Sequence, residues 1–477
     1  MTSEIGTPGS VNSAERAHHA RAGALLVAAA LFMEYLDGTI IANALPHIAR
    51  SFHVAAVDLD IGMTAYLIAV GIFIPLSGWV ADRVGSRRAF TGAILGFTLA
   101  SLGCAASGTL GIFVFFRILQ GIAAAFMTPV GRLAVLHDAR REDLVSTIAL
   151  LTWPALLAPA IAPPLGGLIV EHTSWRWIFL INVPVGLLGA ALVPRLLPQV
   201  RPRDPGPIDR RGMLLWAGSI ALIVIAVDAL ARLGTAVTAA LLAAAVLLGV
   251  AAWRHLRATP HPLLDLTVLR SASFAHAAIA GSFGRIAIMA NPFLLPLLLQ
   301  IGLGMPAAKG GVFILVGMSG NIAMKFATTP VLQMFTYRRV LLVNGALLAA
   351  GFGACAAIGP TTPEPWLLTL LVTTGMARSM QFTALNTLAF VDVEPQRMSA
   401  ASTILSTVQQ VNAALGVAIS ALIIKLSAQW RGSEPSMVLV DIHAAFVAIA
   451  ALCLVGVLLA ARLDPEARAT IMRKAKT

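Results

Sequence analysis

Charge is what this chain has least of. Charged residues fill 12% of its 477 positions, about half the share of an ordinary soluble domain. Aromatics are sparse as well, at 6%, with only three tyrosines. Cysteine occurs three times, at Cys104, Cys355 and Cys453, each in or at the end of an apolar run. This pattern offers no disulfide framework and no metal-spaced Cys/His cluster. His18 and His19 adjoin in a polar tail, and the other histidines scatter through loops and run ends. The chain has no GxxxxGK[ST] phosphate loop and no G-x-S-x-G turn. It is expected to be no enzyme, to need no cofactor and to take no energy directly from ATP.

What the chain has instead is oil. Hydrophobic residues make up 58% of it, and its mean hydropathy is +0.84. A soluble protein of that composition would expose apolar patches far beyond what water tolerates. The bilayer is therefore the expected solvent, and a spanning helix needs about 20 mostly apolar residues. Fourteen such stretches stand out: 22–45, 59–81, 87–108, 110–133, 146–170, 175–198, 212–231, 235–254, 272–300, 309–333, 338–359, 364–391, 400–425 and 440–462. The first 20 residues are polar and lack the apolar core of a signal peptide.

The net charge of +12 would suggest nucleic acid in a soluble protein, but its distribution reads as topology. Segments on the N-terminal side of the membrane hold 24 of the 34 Lys and Arg, including Arg83, Arg87, Arg88, Arg140, Arg141, Arg201, Arg203 and the tail cations. The opposite loops hold five: Arg50, Arg176, Arg232, Lys309 and Arg431. This bias places both termini in the cytoplasm and implies a lipid bilayer partner, with no nucleic acid.

The two ends of the chain also echo each other. Pro46 and Pro296 lie 250 apart, each read as closing the first helix of its half. Gly85-Ser86-Arg87-Arg88 faces Thr336-Tyr337-Arg338-Arg339, Gly121 and Asp138 match Gly375 and Asp392, and Ser146-Thr147-Ile148 matches Ser402-Thr403-Ile404. The expected organisation is a cytoplasmic tail (1–21), a six-helix half (22–198), a linker with two extra helices (199–271), a second six-helix half (272–462) and a cytoplasmic tail (463–477). Repeats of this kind in transporters place the substrate near the bilayer midplane between them.

GWVADRVGSRRAF, residues 78–90, resembles the loop signature of the major facilitator superfamily. LDGTIIANALP (36–46), RILQG (117–121), APPLGG (162–167) and SWRWIFLINVPVG (174–186) resemble its fourteen-helix drug:proton antiporters, of the EmrB/QacA type. GSFGRIAIMANPFLLPLLLQIGLG (281–304) and TYRRVL (336–341) are similar to the MdtD and HsrA group of multidrug transporters. The resemblance implies an all-α inner-membrane protein of the major facilitator fold, a secondary carrier driven by the proton gradient and functional as a monomer. It implies a cytoplasmic gate at Gly78, Asp82, Arg83, Gly85, Arg87 and Arg88: Gly78 for close helix approach, Gly85 for a tight turn, Asp82 and the arginines for a charge network. The antiporter motif of the fifth helix is represented by Pro163, Gly166 and Gly167, with Ala158 and Ala162 where the family has glycines.

Glu34 and Asp37 interrupt the first apolar run, in LFMEYLDGTIIANALP (31–46). Three-residue spacing sets them on one helical face, and a carboxylate at mid-membrane faces a cavity or a partner. The two are expected to titrate as a coupled pair, with Arg117 as the natural counter-ion. The resemblance assigns Asp37 and Arg117 to proton coupling; Glu34 lies outside the family motif. The second half instead buries cations, Arg285 and Arg378, near the polar side chains Asn291, Gln381 and Asn386. Guanidinium groups suit carboxylates and phosphates, so the cavity they line is read as favouring an anionic or zwitterionic small molecule. Pairing of both arginines with Glu34 and Asp37 is an open alternative. Lys325 and Lys425 are read as a snorkelling side chain and an interfacial anchor. The functional expectation is a proton-coupled exporter, with a broad cationic drug pump as the alternative, and a nutrient-importing symporter or a non-transporting sensor behind it.

Overall fold

The structure is a computed structural model, which describes residues 8–136, 144–198, 206–432 and 437–463. Asp138, Arg140, Arg141, Arg201, Arg203 and the last 14 residues lie outside the described residues. The described chain is helical throughout: α1 (Pro8–Phe52), α2 (Asp60–Phe73), α3 (Leu76–Val84), α4 (Ser86–Ala106), α5 (Leu110–Leu136), α6 (Leu144–His172), α7 (Trp177–Leu180), α8 (Asn182–Leu196), α9 (Arg210–Arg232), α10 (Gly234–Ala258), α11 (Ala272–Ala275), α12 (Gly281–Leu297), α13 (Ala307–Met334), α14 (Tyr337–Cys355), α15 (Glu364–Phe390), α16 (Met398–Trp430) and α17 (Leu439–Ala460). Only helices and closed barrels satisfy every backbone group in lipid, which is why apolar runs of this length become helices.

Among the described residues, thirteen segments are long and apolar enough to cross a bilayer. The expected fourteenth is α15. Its mean hydropathy is diluted by Arg378, Gln381, Asn386 and several threonines, yet its 27 residues span about 40 Å at 1.5 Å per residue.

Three boundaries differ from expectation. Pro46 does not close the first helix: α1 runs through it to Phe52. Pro296 likewise sits inside α12, which continues as a π-helical turn over Leu298–Gly302. A proline removes one amide donor but is tolerated in a membrane helix whose neighbours re-satisfy the freed carbonyl. The second span, in contrast, is interrupted at Pro75 and continues as α3.

The helices pair in a repeated pattern. In the first six spans α1 packs on α6 and α8, α4 on α5 and α8, and α2 on α5. In the last six α12 packs on α16 and α17, α14 on α15 and α17, and α13 on α15. Each pair in one set has its counterpart in the other. The broadest contacts between the sets are α6 with α13 and α2 with α16, with α1 also touching α12 and α13, and α9 lies against α16 and α2.

The core shows which side is shut. Toward the outer ends, one continuous hydrophobic cluster runs across both sets, from Leu36, Ile40 and Phe179 to Phe293, Leu298 and Phe446. Toward the arginine-rich inner ends the core splits in two. One cluster belongs to the first six spans (Val27, Phe90, Phe97, Met127), and the other to the last six and the segment before them (Phe274, Leu341, Leu388, Leu405). The two sets are thus sealed outside and parted inside.

Candidate functional site: a buried ion pair, an outer seal and two lone guanidiniums

The helix-breaking glycine of the inner loop does what its position requires. Gly85 joins α3 to α4 at φ +86°, a conformation that residues with a Cβ rarely adopt. Around it, Asp82, Arg83 and Arg88 are exposed, and Arg87 donates to the Pro194 carbonyl at 3.1 Å. Among the described residues no ion pair joins Asp82 to these arginines. Gly78 was expected at a close helix contact, but a Cβ there would meet nothing within 4 Å. The inner ends have parted, so the contact that would use Gly78 is absent in this conformation.

Asp37 is fully buried and held by three donors from two helices. Arg117 Nη1 reaches its Oδ2 at 2.8 Å; Gln120 Nε2 and Asn182 Nδ2 reach Oδ1 at 2.9 and 2.8 Å. The Arg117 guanidinium also stacks over the Tyr66 ring at 4.2 Å and donates to Gln120 Oε1 and the Gly62 carbonyl. Both carboxylate oxygens thus have donors, one of them a guanidinium, the arrangement under which a buried ion pair is tolerated.

Glu34 goes elsewhere. It accepts from Thr128 Oγ1 at 3.0 Å, and its nearest cationic influence is Arg132, one turn further along α5. The two acids share a helix face, but α5 presents Arg117 and Gln120 to one and Thr128 and Arg132 to the other.

The fifth-span motif sits at the outer seal. A Cβ on Gly167 would come within 2.4 Å of the Ala307 carbonyl oxygen, and one on Gly311 within 2.5 Å of the Pro163 carbonyl oxygen. Pro163 and Gly167 on α6 thus oppose Ala307 and Gly311 on α13, four-residue spacings that bring backbones together. Gly166 packs inward on Ile40. Asn43 stitches the seam: its Nδ2 donates to Pro163 O (2.8 Å) and Ala307 O (3.0 Å), and Gln300 Nε2 donates to its carbonyl and its Oδ1, both at 2.8 Å.

Lys425 is no interfacial anchor. It lies 2.9 Å from Asp228, 3.4 Å from Asp60 and 3.4 Å from Asp58. One ammonium therefore ties α16 to α2 and to the inserted α9 at their outer ends. Lys425→Met is expected to leave three carboxylates facing each other. Transport should fall about tenfold, because a partly buried charge cluster has lost its counter-ion, and Lys425→Arg should restore most of it. Equal loss in Met and Arg variants would mean that the site only packs.

Arg285 and Arg378 have no carboxylate partner among the described residues. Arg285 is fully buried; it donates to the Ala277 carbonyl and to Asn386 Oδ1, the latter at 3.1 Å. The Nε atoms of both arginines lack any acceptor. Asn386 also accepts from Gln409 at 3.0 Å, and Gln381 accepts from Asn344 at 3.0 Å. Asn291 is buried on the same helix as Arg285 with no hydrogen bond to either arginine. Pairing of these arginines with Glu34 and Asp37 does not occur, since Asp37 is taken by Arg117 and Glu34 by Thr128. Lys325 is exposed and donates to Thr383 Oγ1 at 2.9 Å.

Sequence reasoning passed over Gln120, Asn182, Asn43, Gln300 and the Lys425 cluster. The first four lay inside motifs already noted for their resemblance, as polar residues in apolar context.

Two sets of paired spans meet at a seal at their outer ends, and the first set buries an Asp37–Arg117 ion pair. Residues 27–417 match the model described as Major Facilitator Superfamily. The chain belongs to the major facilitator superfamily. It is 36% identical over 412 residues to "Putative multidrug resistance protein MdtD" of Citrobacter koseri, covering 85% of this chain and 86% of that protein. The protein of that name from Escherichia coli O139:H28 is 36% identical over 409 residues, covering 84% and 85%. Among solved structures, the POT family transporter PepTSo superposes with a TM-score of 0.69 at 13% identity, over 94% of this chain and 98% of that one. A bacterial homologue of the human lysosomal transporter Spinster, in an inward-facing and unoccupied conformation, gives 0.68 at 14%, over 95% and 98%. These last two likenesses speak to the fold alone. The chain is a multi-pass transporter of the bacterial inner membrane, a carrier rather than an enzyme.

Proposed function

We propose that the protein is a proton-coupled exporter of small organic anions or zwitterions, exchanging protons inward for substrate outward by alternating access. The observation that carries the substrate class is the pair of guanidiniums, Arg285 and Arg378, held among the last six spans without a carboxylate. A buried unpaired charge is costly, and a bound carboxylate or phosphate would offset that cost through charge-assisted hydrogen bonds. Asp37 with Arg117 is the proton-coupling site. Its three hydrogen bonds tie α1 to α5 and α8, and a proton arriving at Asp37 would release Arg117 from α1. Glu34, at a separate site, is a second proton-binding group. The energy source is the proton gradient with no cofactor, and the monomer is the working unit. Relatives named for multidrug resistance support export as the direction.

The test is a panel of anionic and cationic compounds exported from cells lacking other pumps. Arg285→Gln and Arg378→Gln should each lower anion export by about tenfold or more, the worth of one charge-assisted contact. Extrusion of cationic dyes that survives both substitutions, with no anion export by the parent, would replace this reading with a broad cationic drug pump.

A further inference from the structure

A cavity of about 740 Å³ opens at the inner end, between α3, the start of α9, the end of α10 and the segment leading to α11. That volume falls within the ~300–1,000 Å³ of small-molecule sites. It is distinct from the ion pair and from Arg285 and Arg378. Its acids are spent. Asp209 is engaged by the Gly212 amide (2.8 Å), the His255 ring (2.7 Å) and the Leu263 amide (3.3 Å). Burial alone would raise its carboxyl, but these partners outweigh burial and hold it below its ordinary range. Asp265 is likewise taken up by the Thr267 amide and hydroxyl. The lining arginines are not. Arg257 and Arg270 are exposed and have no carboxylate partner among the described residues; Arg257 lies 5.8 Å from the Trp253 ring centroid. The two guanidiniums are therefore the charged lining groups whose hydrogen-bonding capacity is left for an anion, while Asp209 and Asp265 are already engaged.

Its surroundings identify what kind of anion fits. Val246, Val250, Trp253 and Arg257 follow one another at helical spacing along a single face of α10. The first three are 62%, 45% and 45% exposed. An apolar track at lipid depth therefore ends in a tryptophan and an arginine at the mouth of the cavity. Trp79 lies opposite on α3, its indole Nε1 donating to Gly206 O at 3.1 Å. A soluble phosphate would use the arginines and leave the track idle; a lipid uses both.

The geometry points to a binding site for an anionic phospholipid of the inner leaflet, its phosphodiester between Arg257 and Arg270 and one acyl chain along α10. Guanidiniums bind phosphate oxygens in paired hydrogen bonds, and basic pockets on the cytoplasmic side of helical membrane proteins recognise such headgroups. The cavity is walled by α3 from the first six spans and by the segment that enters the last six. An occupant thus bridges the two sets where they have parted. A lipid seated there holds the inner ends open and gives the inserted α9–α10 pair a task.

The experiment measures lipid binding by the purified full chain. Delipidated protein is titrated with phosphatidylglycerol, phosphatidylcholine, glycerol phosphate and inorganic phosphate, with retention read by native mass spectrometry. The parent should retain phosphatidylglycerol and none of the other three. The Arg257→Gln/Arg270→Gln double variant should bind it about twenty-five-fold more weakly, taking each arginine as about fivefold near an anionic lipid surface. Arg254→Gln, an exposed arginine one turn earlier that does not line the cavity, should bind as the parent does. Unchanged retention in the double variant, equal loss in Arg254→Gln, or equal binding of glycerol phosphate would overturn the site. Because the readout is binding, its failure would leave the transport reading untouched.

Discussion

Asp37→Asn is expected to abolish transport driven by a pH gradient in proteoliposomes, by about a hundredfold or more per correctly inserted molecule, a change of at least ~2.7 kcal/mol. Asparagine keeps the shape and an acceptor for Gln120 or Asn182, but it cannot carry a proton or a negative charge. It also leaves the Arg117 guanidinium buried with only neutral partners, which costs about 3–5 kcal/mol of stability when one member of a buried pair is removed. Stability and coupling can be separated by a second substitution. The Asp37→Asn/Arg117→Gln double variant removes both charges, so its thermal stability should recover most of what the single variant lost. Its proton-driven transport should stay absent, because no group at the site can bind and release a proton. Recovery of transport together with stability would make the pair a packing device and remove it from the coupling scheme.

Much of this architecture could be read from the chain because its solvent imposes so simple a rule. Twenty apolar residues in a row have one way to satisfy their backbone in lipid, so the number and order of the spans followed from hydropathy. Even α15 was found, despite Arg378, Gln381 and Asn386. Helix ends were harder. Pro46 looked like a terminus and is an interior residue of α1, since a proline costs a membrane helix little when neighbouring helices supply donors. The partners of Asp37 were only partly legible. A buried carboxylate announces that it needs a cation, and Arg117 was the available one; that Gln120 and Asn182 complete the site depends on the rotation of α5 and α8, which spacing alone does not set. The same rotation decides that Glu34 meets Thr128 rather than sharing Asp37's partners. The Lys425 cluster was illegible for another reason. Its members come from three segments far apart in the chain, and each alone reads as an ordinary charge near a membrane surface.

The outer seal yields the other large effect: Gly167→Val or Gly311→Val should each stop transport while leaving the protein inserted and folded. A Cβ on Gly167 meets the Ala307 carbonyl oxygen at 2.4 Å and carbon at 2.6 Å; one on Gly311 meets the Pro163 carbonyl oxygen at 2.5 Å and carbon at 2.7 Å. The atoms in the way are backbone, so no rotamer change relieves the clash, and overpacking of this kind costs about 1–3 kcal/mol or more. The clash exists only while α6 and α13 are closed at their outer ends. Separation of those ends removes it at no cost to the packing within either set of spans, and valine is at home in lipid. Asn43 would keep Pro163, which belongs to its own set, but lose its acceptor Ala307 and its donor Gln300 together, so the seam would open as a unit. Moving a two-state equilibrium from 1:99 to 99:1 takes about 5.5 kcal/mol, which the steric term and the lost Asn43 bonds approach jointly. Spin labels at the exposed rim positions Thr173 and Thr361 should report a longer distance in both valine variants. Gly78→Val, whose Cβ meets open space in this conformation, should leave that distance unchanged. An unaltered distance in Gly167→Val with normal export would mean that the close backbone contact is not what shuts the outer side.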